Sequence, residues 1–291
     1  MAVTISNAYI QTFERTVRQL AQQGVSRVRP YVTERSEQSQ KHNWDRLGKG
    51  AAVQKVATLV ATPAQQLAWS RRVSIAQTWH AGEAVEQEDI VQMLIDPNSA
   101  VAENLAMSMR RAMDDIIITA ATGNATDGAG GAVAFPAGQL IGDGTAPISF
   151  DMVTAVQELF MTNDITPDIE KVFVVGPTQV RKLMQLTEQT SGDYVQKQAL
   201  QQLSSTGIVP NWMGFTWVMS TRLLVPAGGQ LSCLAFTKRA LGFHVPRDIT
   251  VRVQEDPSVS FAWRLYAYAT AGATRVEDEQ IVHVKVKNSL T

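Results

Sequence analysis

The sequence predicts an α+β protein with one long helix and several β-strands. Apolar residues recur three and four positions apart through residues 97–122, which is the helical period, whereas several other segments alternate apolar and polar residues, which is the strand period. The strands do not alternate regularly with helices as they do in a doubly wound sheet. With 291 residues, 45% of them hydrophobic, the chain is long enough to bury a sizeable core.

Residues 1–41 are predicted to form an N-terminal arm. Apolar side chains at spacings near three and four predict a helix over residues 5–24, which Gly24 ends. The stretch that follows is polar and basic and has little apolar surface to bury. We therefore expect the arm to lie on something else.

Residues 42–82 are predicted to form a long β-ribbon. Side chains alternate around Trp44 and again from Val73 to Trp79, which indicates two strands. The segment between them is thinly apolar and contains Pro63 near its middle. Because a two-stranded ribbon is marginally stable in water, either the rest of the chain or another subunit must support it.

The long helix is predicted over residues 97–122. Asp96 is suited to cap it, Pro97 to occupy its first turn and Gly123 to end it, and its length is about 39 Å at ~1.5 Å per residue. Two ion pairs four residues apart are expected, Arg110 with Asp114 and Arg111 with Asp115. The predicted apolar face consists of Val101, Leu105, Met109, Ala112, Ile116 and Ala120.

The second half of the chain predicts shorter elements. The glycine-rich stretch 123–147 lacks a phosphate-binding motif and is interpreted as a flexible connector. Helices are expected over residues 150–161 and 178–188, and a polar loop over 189–210. Strands are expected at 171–175, 214–219, 231–237, 242–245, 248–254, 261–265 and 281–287.

Charge is distributed unevenly although the formal net charge is −1. Residues 1–82 hold eleven cations and four anions, so the remaining residues hold fifteen cations and twenty-three anions. Two hypotheses account for this distribution equally well. One is chance clustering, and in the other the basic and acidic parts meet between subunits. Specific nucleic-acid binding by the basic part lacks a recognition motif.

No catalytic, cofactor or metal site is predicted. The four histidines (His42, His80, His244 and His283) are scattered, and Cys233 is expected to be a buried thiol because it lies in an apolar strand. Asp114 and Asp115 point about 100° apart on a helix and cannot share a proton. Glu277 and Glu279 could share a strand face and bind a cation, but a solvated edge or turn is the favoured alternative.

A resemblance to a known family rests on motifs spread over nearly the whole chain and on their order. The motifs are RVRPYVTE (27–34), SRRVSI (70–75), the helical stretch 93–125, VFVVGPTQVRKLM (172–184), LAFTKRALGF (234–243) and TRVEDEQIVHVKV (274–286). In this order the chain resembles the major capsid proteins of tailed bacteriophages, whose Hong Kong 97-type fold is shared with encapsulin shells.

The resemblance implies a domain organisation. Residues 1–41 would be the N-terminal arm and 42–82 an extended loop that reaches over a neighbouring subunit. Residues 83–149, with the spine helix 97–122 and the glycine-rich loop, would belong to the peripheral domain. Residues 150–255 would be mainly the axial domain, and 256–291 would return to the peripheral domain.

The resemblance also implies a function. The chain would be a structural protein and not an enzyme, and copies would form pentamers and hexamers of an icosahedral head around double-stranded DNA. A separate scaffolding protein is expected because Met1 leads directly into the arm, and a portal is expected as a further partner. Assembly would occur in the host cytoplasm, without a membrane, and the product would be the virion capsid.

The residues expected at the assembly interface lie in the extended loop: Arg46, Lys49, Lys55, Arg71, Arg72 and Trp79. Some members of the family cross-link a lysine of this loop to an asparagine of the neighbour, but no motif here identifies that asparagine, and no cross-link is assigned. Two alternatives remain. One is an encapsulin-like nanocompartment shell, and the other is an α+β enzyme with a carboxylate-based site.

Overall fold

The computed structural model describes residues 22–86, 98–185, 197–226, 228–258 and 261–289. Its helices are α1 (Asn98–Thr122), α2 (Phe150–Thr162), α3 (Pro177–Gln185) and α4 (Lys197–Thr206). The strands are β1 (Thr33–Arg35), β2 (Lys41–Leu47), β3 (Trp69–Ile75), β4 (Gln77–Val85), β5 (Ala125–Asp127), β6 (Ala132–Val133), β7 (Leu140–Ile141), β8 (Lys171–Val175), β9 (Ile208–Trp212), β10 (Phe215–Met219), β11 (Gln230–Thr237), β12 (Leu241–Asp256), β13 (Ala262–Arg275) and β14 (Ile281–Lys287).

The strands form three sheets, and the α+β prediction is confirmed. The sheets have the orders β7-β14-β11-β8-β10-β9, β1-β12-β13-β4 and β2-β3-β5-β6, and we call them the core sheet, the helix-backed sheet and the ribbon sheet. The predicted helix over residues 5–24 lies outside the described residues except for its last three, which are not helical. The proposed cap, Asp96 and Pro97, also lies outside them.

The core sheet contains the largest buried apolar side chains. All five residues of β8 are buried, as an apolar strand in the middle of a sheet requires. The rings of Phe173 and Trp217 stack with centroids 4.5 Å apart, and Trp212 lies 4.6 Å from Trp217. The Trp217 indole N–H is satisfied as well, because it donates to the Trp212 carbonyl at 2.8 Å.

The helix-backed sheet packs against α1. The two strands predicted at 242–245 and 248–254 form one strand, β12, whose pairing with β13 shifts register on either side of Arg247. The β13 side chains that face α1 are small, notably Ala267, Ala269 and Ala271, all buried. Their size allows the helix to approach the sheet closely.

The buried face of α1 differs from the predicted one. Its large buried apolar residues are Met109, Met113, Ile117 and Ile118, whereas Ala112 and Ile116 are only half-buried. The expected pairs of Arg110 with Asp114 and of Arg111 with Asp115 are wrong, because all four side chains have partners elsewhere. Asp114 is buried and faces the arm, so the buried face of the helix contains a charged residue.

The ribbon sheet corrects two predictions. The alternating stretch from Val73 to Trp79 is not one strand, because β3 pairs with β2 and β4 pairs with β13 in another sheet. The chain crosses β13 there so closely that a Cβ on Gly272 would overlap the Ile75 carbonyl oxygen. The glycine-rich stretch 123–147 contains β5, β6 and β7, and β5 extends the ribbon sheet by pairing with β3.

Three further differences concern the second half of the chain. Residues 197–210 are not a loop, because α4 and the start of β9 lie there, with Leu203 buried. β14, which is expected among the return strands of residues 256–291, pairs with β11 and β7 in the core sheet rather than with β13. The expected helix at 178–188 begins at Pro177, and its last three residues lie outside the described part of the chain.

Candidate assembly surface

The most exposed apolar side chains lie between β2 and β3. Within the predicted extended loop of residues 42–82, residues 48–68 contain no strand or helix, and from here on only these residues are called the extended loop. The Gly48 amide donates to the Ala68 carbonyl at the point where the loop leaves the sheet. Leu59 is 100% exposed and Val56 is 86% exposed, and Val53 and Val60 are also exposed. Several exposed apolar side chains within one short segment indicate a site of contact with another molecule.

Charged side chains that meet at Asp278 attach the ribbon sheet to the rest of the molecule. Arg72 donates to one Asp278 oxygen at 2.7 Å, and Arg275 donates to the other at 2.5 Å. Arg46 lies 3.9 Å from the same carboxylate and donates to the Val276 carbonyl at 2.7 Å. One carboxylate therefore connects β2 and β3 to the segment between β13 and β14.

Arg275 extends this network to the end of the long helix. Its side chain is 0% exposed, and its three nitrogens donate to Asp278, to the Gly123 carbonyl and to the carbonyls of residues 133 and 134. The guanidinium also lies over the Phe135 ring, 4.9 Å from its centroid. A buried guanidinium requires a full set of acceptors. Arg275 therefore fixes the end of α1 relative to the paired strands β2 and β3, which we call the ribbon base.

A second contact seats the ribbon on β12. The Trp44 ring covers Gly242 so closely that a Cβ there would lie 2.5 Å from the ring, and the Trp44 indole N–H donates to the Ser74 hydroxyl at 3.0 Å. The His42 and His244 rings are 5.3 Å apart, and His42 contacts the Glu37 carboxylate at 3.1 Å. His244 is buried and hydrogen-bonds the Glu37 carbonyl at 2.8 Å.

The described part of the arm is held by α1 and β12. The buried Asp114 carboxylate accepts hydrogen bonds from the backbone N–H groups of Arg27 and Val28 at 2.9 and 3.2 Å, and from the Ser26 hydroxyl. Arg29 donates to both Glu34 and Asp248, which raises the pKa of its guanidinium and lowers that of Asp248. For these residues, the surface on which the arm lies is formed by α1 and β12 of the same chain.

The six predicted interface residues lie in three different settings. Arg46 and Arg72 point into the Asp278 network, whereas Arg71 pairs with Asp45 at the surface, at 2.6 Å. Lys49 is largely exposed and lies 3.2 Å from Glu279, a contact that raises its pKa. Lys55 is exposed on the extended loop, and Trp79 is 43% exposed on β4.

The six residues remain a predicted interface, and the structure shows how much of each is available. The Arg72 side chain is 7% exposed and bound to Asp278 of its own chain, so little of its surface is open to a neighbouring subunit. Several charges of the basic and acidic parts are likewise paired within the chain, including Arg29 with Asp248 and Lys49 with Glu279. The charge complementarity expected between subunits is therefore partly used inside each subunit.

The remaining candidate residues are Cys233 and the acidic residues 277–279. Burial raises the pKa of the Cys233 thiol to about 12, which confirms the prediction of a buried thiol. Asp278–Gln280 form a 3₁₀ turn rather than a strand, and burial raises the pKa of Glu277. Across the described residues, no three His, Cys, Asp or Glu side chains form a group able to hold a metal ion. Within the same residues, no helix has the length and apolar character of a membrane span.

Sequence reasoning misses the residues that position the ribbon. Asp278 is expected in a solvated acidic cluster, and neither Arg275 nor Gly242 has an evident role in the sequence, because their partners lie far away in the chain. His42 and His244, interpreted as unrelated, face each other. The one local signal is the spacing of three residues between Arg275 and Asp278, which is too common to predict a network.

Comparison with known proteins shows which of them share the fold of this chain. A family model described as phage capsid protein matches residues 5–288. The structure of Mycobacterium phage Che8 aligns with a TM-score of 0.71 at 16% identity, over 96% of this chain and 97% of that chain. The capsid of cyanophage P-SCSP1u aligns with a TM-score of 0.72 at 15% identity, over 97% and 94%.

A third capsid, that of cyanophage Pam1, aligns with a TM-score of 0.73 at 12% identity, over 99% of this chain and 98% of that chain. The comparison with curated proteins finds no match. At these identities the structures show a common fold, and the family model extends over almost the whole chain. The chain therefore belongs to the phage capsid protein family and is a structural, major capsid protein of the phage head.

Proposed function

We propose that the extended loop lies across a neighbouring subunit and that copies of the chain assemble in this way into pentamers and hexamers of a closed icosahedral shell. The observation that carries the proposal is the contrast within the ribbon. Its base is fixed by buried ion pairs, whereas the loop beyond it presents Val53, Val56 and Leu59 to solvent.

The energetics favour a partner for this loop. Complete burial of a valine or leucine side chain contributes about 1.5–3 kcal/mol, so a few such contacts stabilise an interface appreciably. The rigid base reduces the conformational entropy that the loop loses when it binds. Repeating the same contact around each pentamer or hexamer adds these contributions over every subunit.

The finer parts of the proposal follow from the family. The shell would enclose double-stranded DNA and would be built in the host cytoplasm with a scaffolding protein and a portal. The chain would catalyse no reaction. The carboxylate that an enzyme hypothesis would use first, Asp278, is engaged by Arg72 and Arg275, which supports a structural role for the 277–279 cluster.

The test is to remove the apolar contacts of the loop without altering its base. We expect Val56→Ser with Leu59→Ser to leave the subunit folded, with an unchanged melting temperature, and to abolish shell formation. Met161→Ser with Val225→Ser is the matched control, because both side chains are exposed apolar residues outside the extended loop. Sedimentation velocity and electron microscopy of the protein co-expressed with scaffold report the particles.

Two results would contradict the proposal. One is shells from the loop variant at the yield of the unmodified protein. The other is an unmodified protein that remains monomeric at high concentration in the presence of scaffold.

A further inference from the structure

The described part of the arm forms a groove together with α1 and β12, and we call it the arm groove. Its volume is about 870 Å³. Apolar side chains from all three elements line it, namely those of Val25, Pro30, Val32, Ala106, Ile249 and Val251. The arm therefore contributes one wall of the groove, and the helix and the sheet contribute the others.

The apolar surface of this groove is only partly covered. Val25 is 67% exposed although it lies in the groove wall. Alternate residues of a strand project from the same face, so the face that carries Ile249 and Val251 continues to Val253, which is 46% exposed. Exposed apolar side chains gathered around one groove indicate a docking site for a further apolar segment.

The charges at the rim of the groove restrict what can dock there. Arg29 is paired with both Glu34 and Asp248, so these three charges are used within the rim. Arg110 and Lys238 supply two further rim charges, and both are positive. A segment with an apolar side and an acidic residue beside that side matches this arrangement.

The chain that precedes the described part of the arm begins next to this groove. Residues 1–21 lie outside the described residues, and the side-chain oxygen of Gln22 accepts a hydrogen bond from Arg111 on α1. Leu20 is five residues before Val25, so an extended chain of at most ~3.6 Å per residue keeps the two within about 18 Å. A segment on so short a tether is present at a high effective concentration at the groove.

The sequence of this segment has the required pattern. At 100° per residue, four apolar residues of the predicted helix fall within an arc of about 80°: Ile10, Phe13, Val17 and Leu20. Glu14 lies beside this arc, whereas Arg15 and Arg18 lie away from it. The apolar side thus has an acidic flank, and the cations of the segment are directed elsewhere.

We propose that residues 10–20 dock in the arm groove of their own chain as an amphipathic helix. The apolar side of the helix covers Val25, Ile249 and Val251, and Glu14 faces the positive part of the rim. A second copy of the chain is the competing source of the same segment. The short tether favours the chain's own segment, because a neighbour would have to displace it.

The test is a disulfide between the segment and the floor of the groove in the unassembled subunit. The natural thiol, Cys233, does not compete, because it is buried and its pKa is raised to about 12. We expect Val17→Cys with Val251→Cys to form an intrachain disulfide on mild oxidation. Val17→Cys with Arg252→Cys is the matched control, because residue 252 is exposed on the opposite face of β12. Its disulfide should form at least about tenfold more slowly.

A mixture of the two single-cysteine subunits separates the chain's own segment from a neighbour's. Subunits with Val17→Cys alone and subunits with Val251→Cys alone should give no interchain disulfide, since each groove is filled by its own chain. Non-reducing electrophoresis and mass spectrometry of the linked peptides distinguish the products.

Thermal unfolding supplies a second readout that needs no cross-link. Phe13→Ser with Val17→Ser removes apolar contacts from the groove, and we expect it to lower the melting temperature by about 5 °C. Gln11→Ser with Arg15→Ser changes the opposite side of the predicted helix and should leave the melting temperature unchanged.

Three results would overturn the inference. In the first, residues 251 and 252 are cross-linked to residue 17 at equal rates, or residue 251 is not cross-linked. In the second, the mixed single-cysteine subunits link readily, which would assign the groove to a neighbour's segment. In the third, the Phe13/Val17 variant melts at the temperature of its control. None of these measurements requires a shell, so the inference can fail while the proposed role of the extended loop stands.

Discussion

The core sheet and the ribbon sheet are stabilised by different physics. The core sheet buries large aromatic side chains against one another, with Phe173 and Trp217 in its centre. The ribbon sheet buries polar side chains instead: on β3 the buried residues are Arg72 and Ser74, and its charged contacts to the rest of the molecule meet at Asp278. Charged hydrogen bonds depend more strongly on the direction of the groups than apolar contacts do. The ribbon sheet is therefore suited to fixing the direction in which the extended loop leaves the subunit.

The largest expected effect is in the core sheet. Trp217→Ala removes a fully buried indole and its hydrogen bond to the Trp212 carbonyl, and we expect it to lower the free energy of unfolding by about 4 kcal/mol. Urea unfolding monitored by far-UV circular dichroism measures this loss. Limited proteolysis in native buffer should cut the extended loop at the rate of the unmodified protein, because the ribbon base does not depend on this side chain.

Asp278→Ala tests the ribbon base and should be the next largest. It leaves the buried Arg275 guanidinium without its charged partner, which costs about 3 kcal/mol. In contrast to the Trp217 variant, proteolysis within β2 and β3 should also accelerate. Asp278→Asn, which retains one acceptor oxygen without the charge, should recover part of the loss. If proteolysis in the ribbon strands is unchanged in both variants, Asp278 does not fix the ribbon.

How far these regions can be predicted depends on the range of their interactions. The predicted bounds of β8, β11 and α2 agree with the structure to within one residue at either end, because short apolar runs and helical spacing are local signals. The sequence gives no signal for α4, which is rich in glutamine and serine and buries only Leu203 among its described side chains. The exact face of α1 escapes prediction because Asp114 is stabilised by arm residues more than eighty positions earlier.

The ribbon base escapes prediction for the same reason. Its partners come from β2, β3, the end of α1 and the segment before β14, and only Arg275 and Asp278 are near each other in sequence. Alternation locates β2 and β3 but suggests an apolar buried face, whereas the structure buries Arg72 and Ser74 and exposes Ile75. A polar residue on a strand is expected to face solvent unless the distant residue that binds it is known.

The third prediction concerns pH and the core sheet. Burial, with a smaller contribution from the charge of Lys285, lowers the pKa of His283 to about 4, below the value of about 6.5 in an unfolded chain. The unfolded chain therefore binds more protons between these values, so stability is complete above pH 6.5 and declines as the pH falls towards 4. At pH 5.5 the expected loss is about 1.4 kcal/mol relative to pH 8.

The control for this effect replaces one histidine at a time. His283→Leu should remove that pH dependence from urea midpoints measured between pH 8 and pH 5, whereas His80→Gln, on an exposed position, should retain it. A His283 variant with the same pH dependence as the unmodified protein would mean that another group is responsible.

The smallest expected effect comes from two adjacent arginines of β3. Arg72→Gln should lower the free energy of unfolding by about 1 kcal/mol, because it removes one hydrogen bond to Asp278 but also a buried Nε–H that has no acceptor among the described residues. Arg71→Gln removes only a surface pair with Asp45, and we expect no measurable change. Equal effects of the two substitutions would show that burial of Arg72 contributes nothing.

The most direct test of the division between a self-supporting ribbon base and a neighbour-dependent loop is amide hydrogen exchange of the unassembled subunit and of the assembled shell. The account predicts that residues 41–47 and 69–75 are protected in both, whereas residues 48–68 exchange rapidly in the subunit and slowly in the shell. Equal exchange of residues 48–68 in the two states would contradict it, because a neighbouring subunit would then not protect the loop.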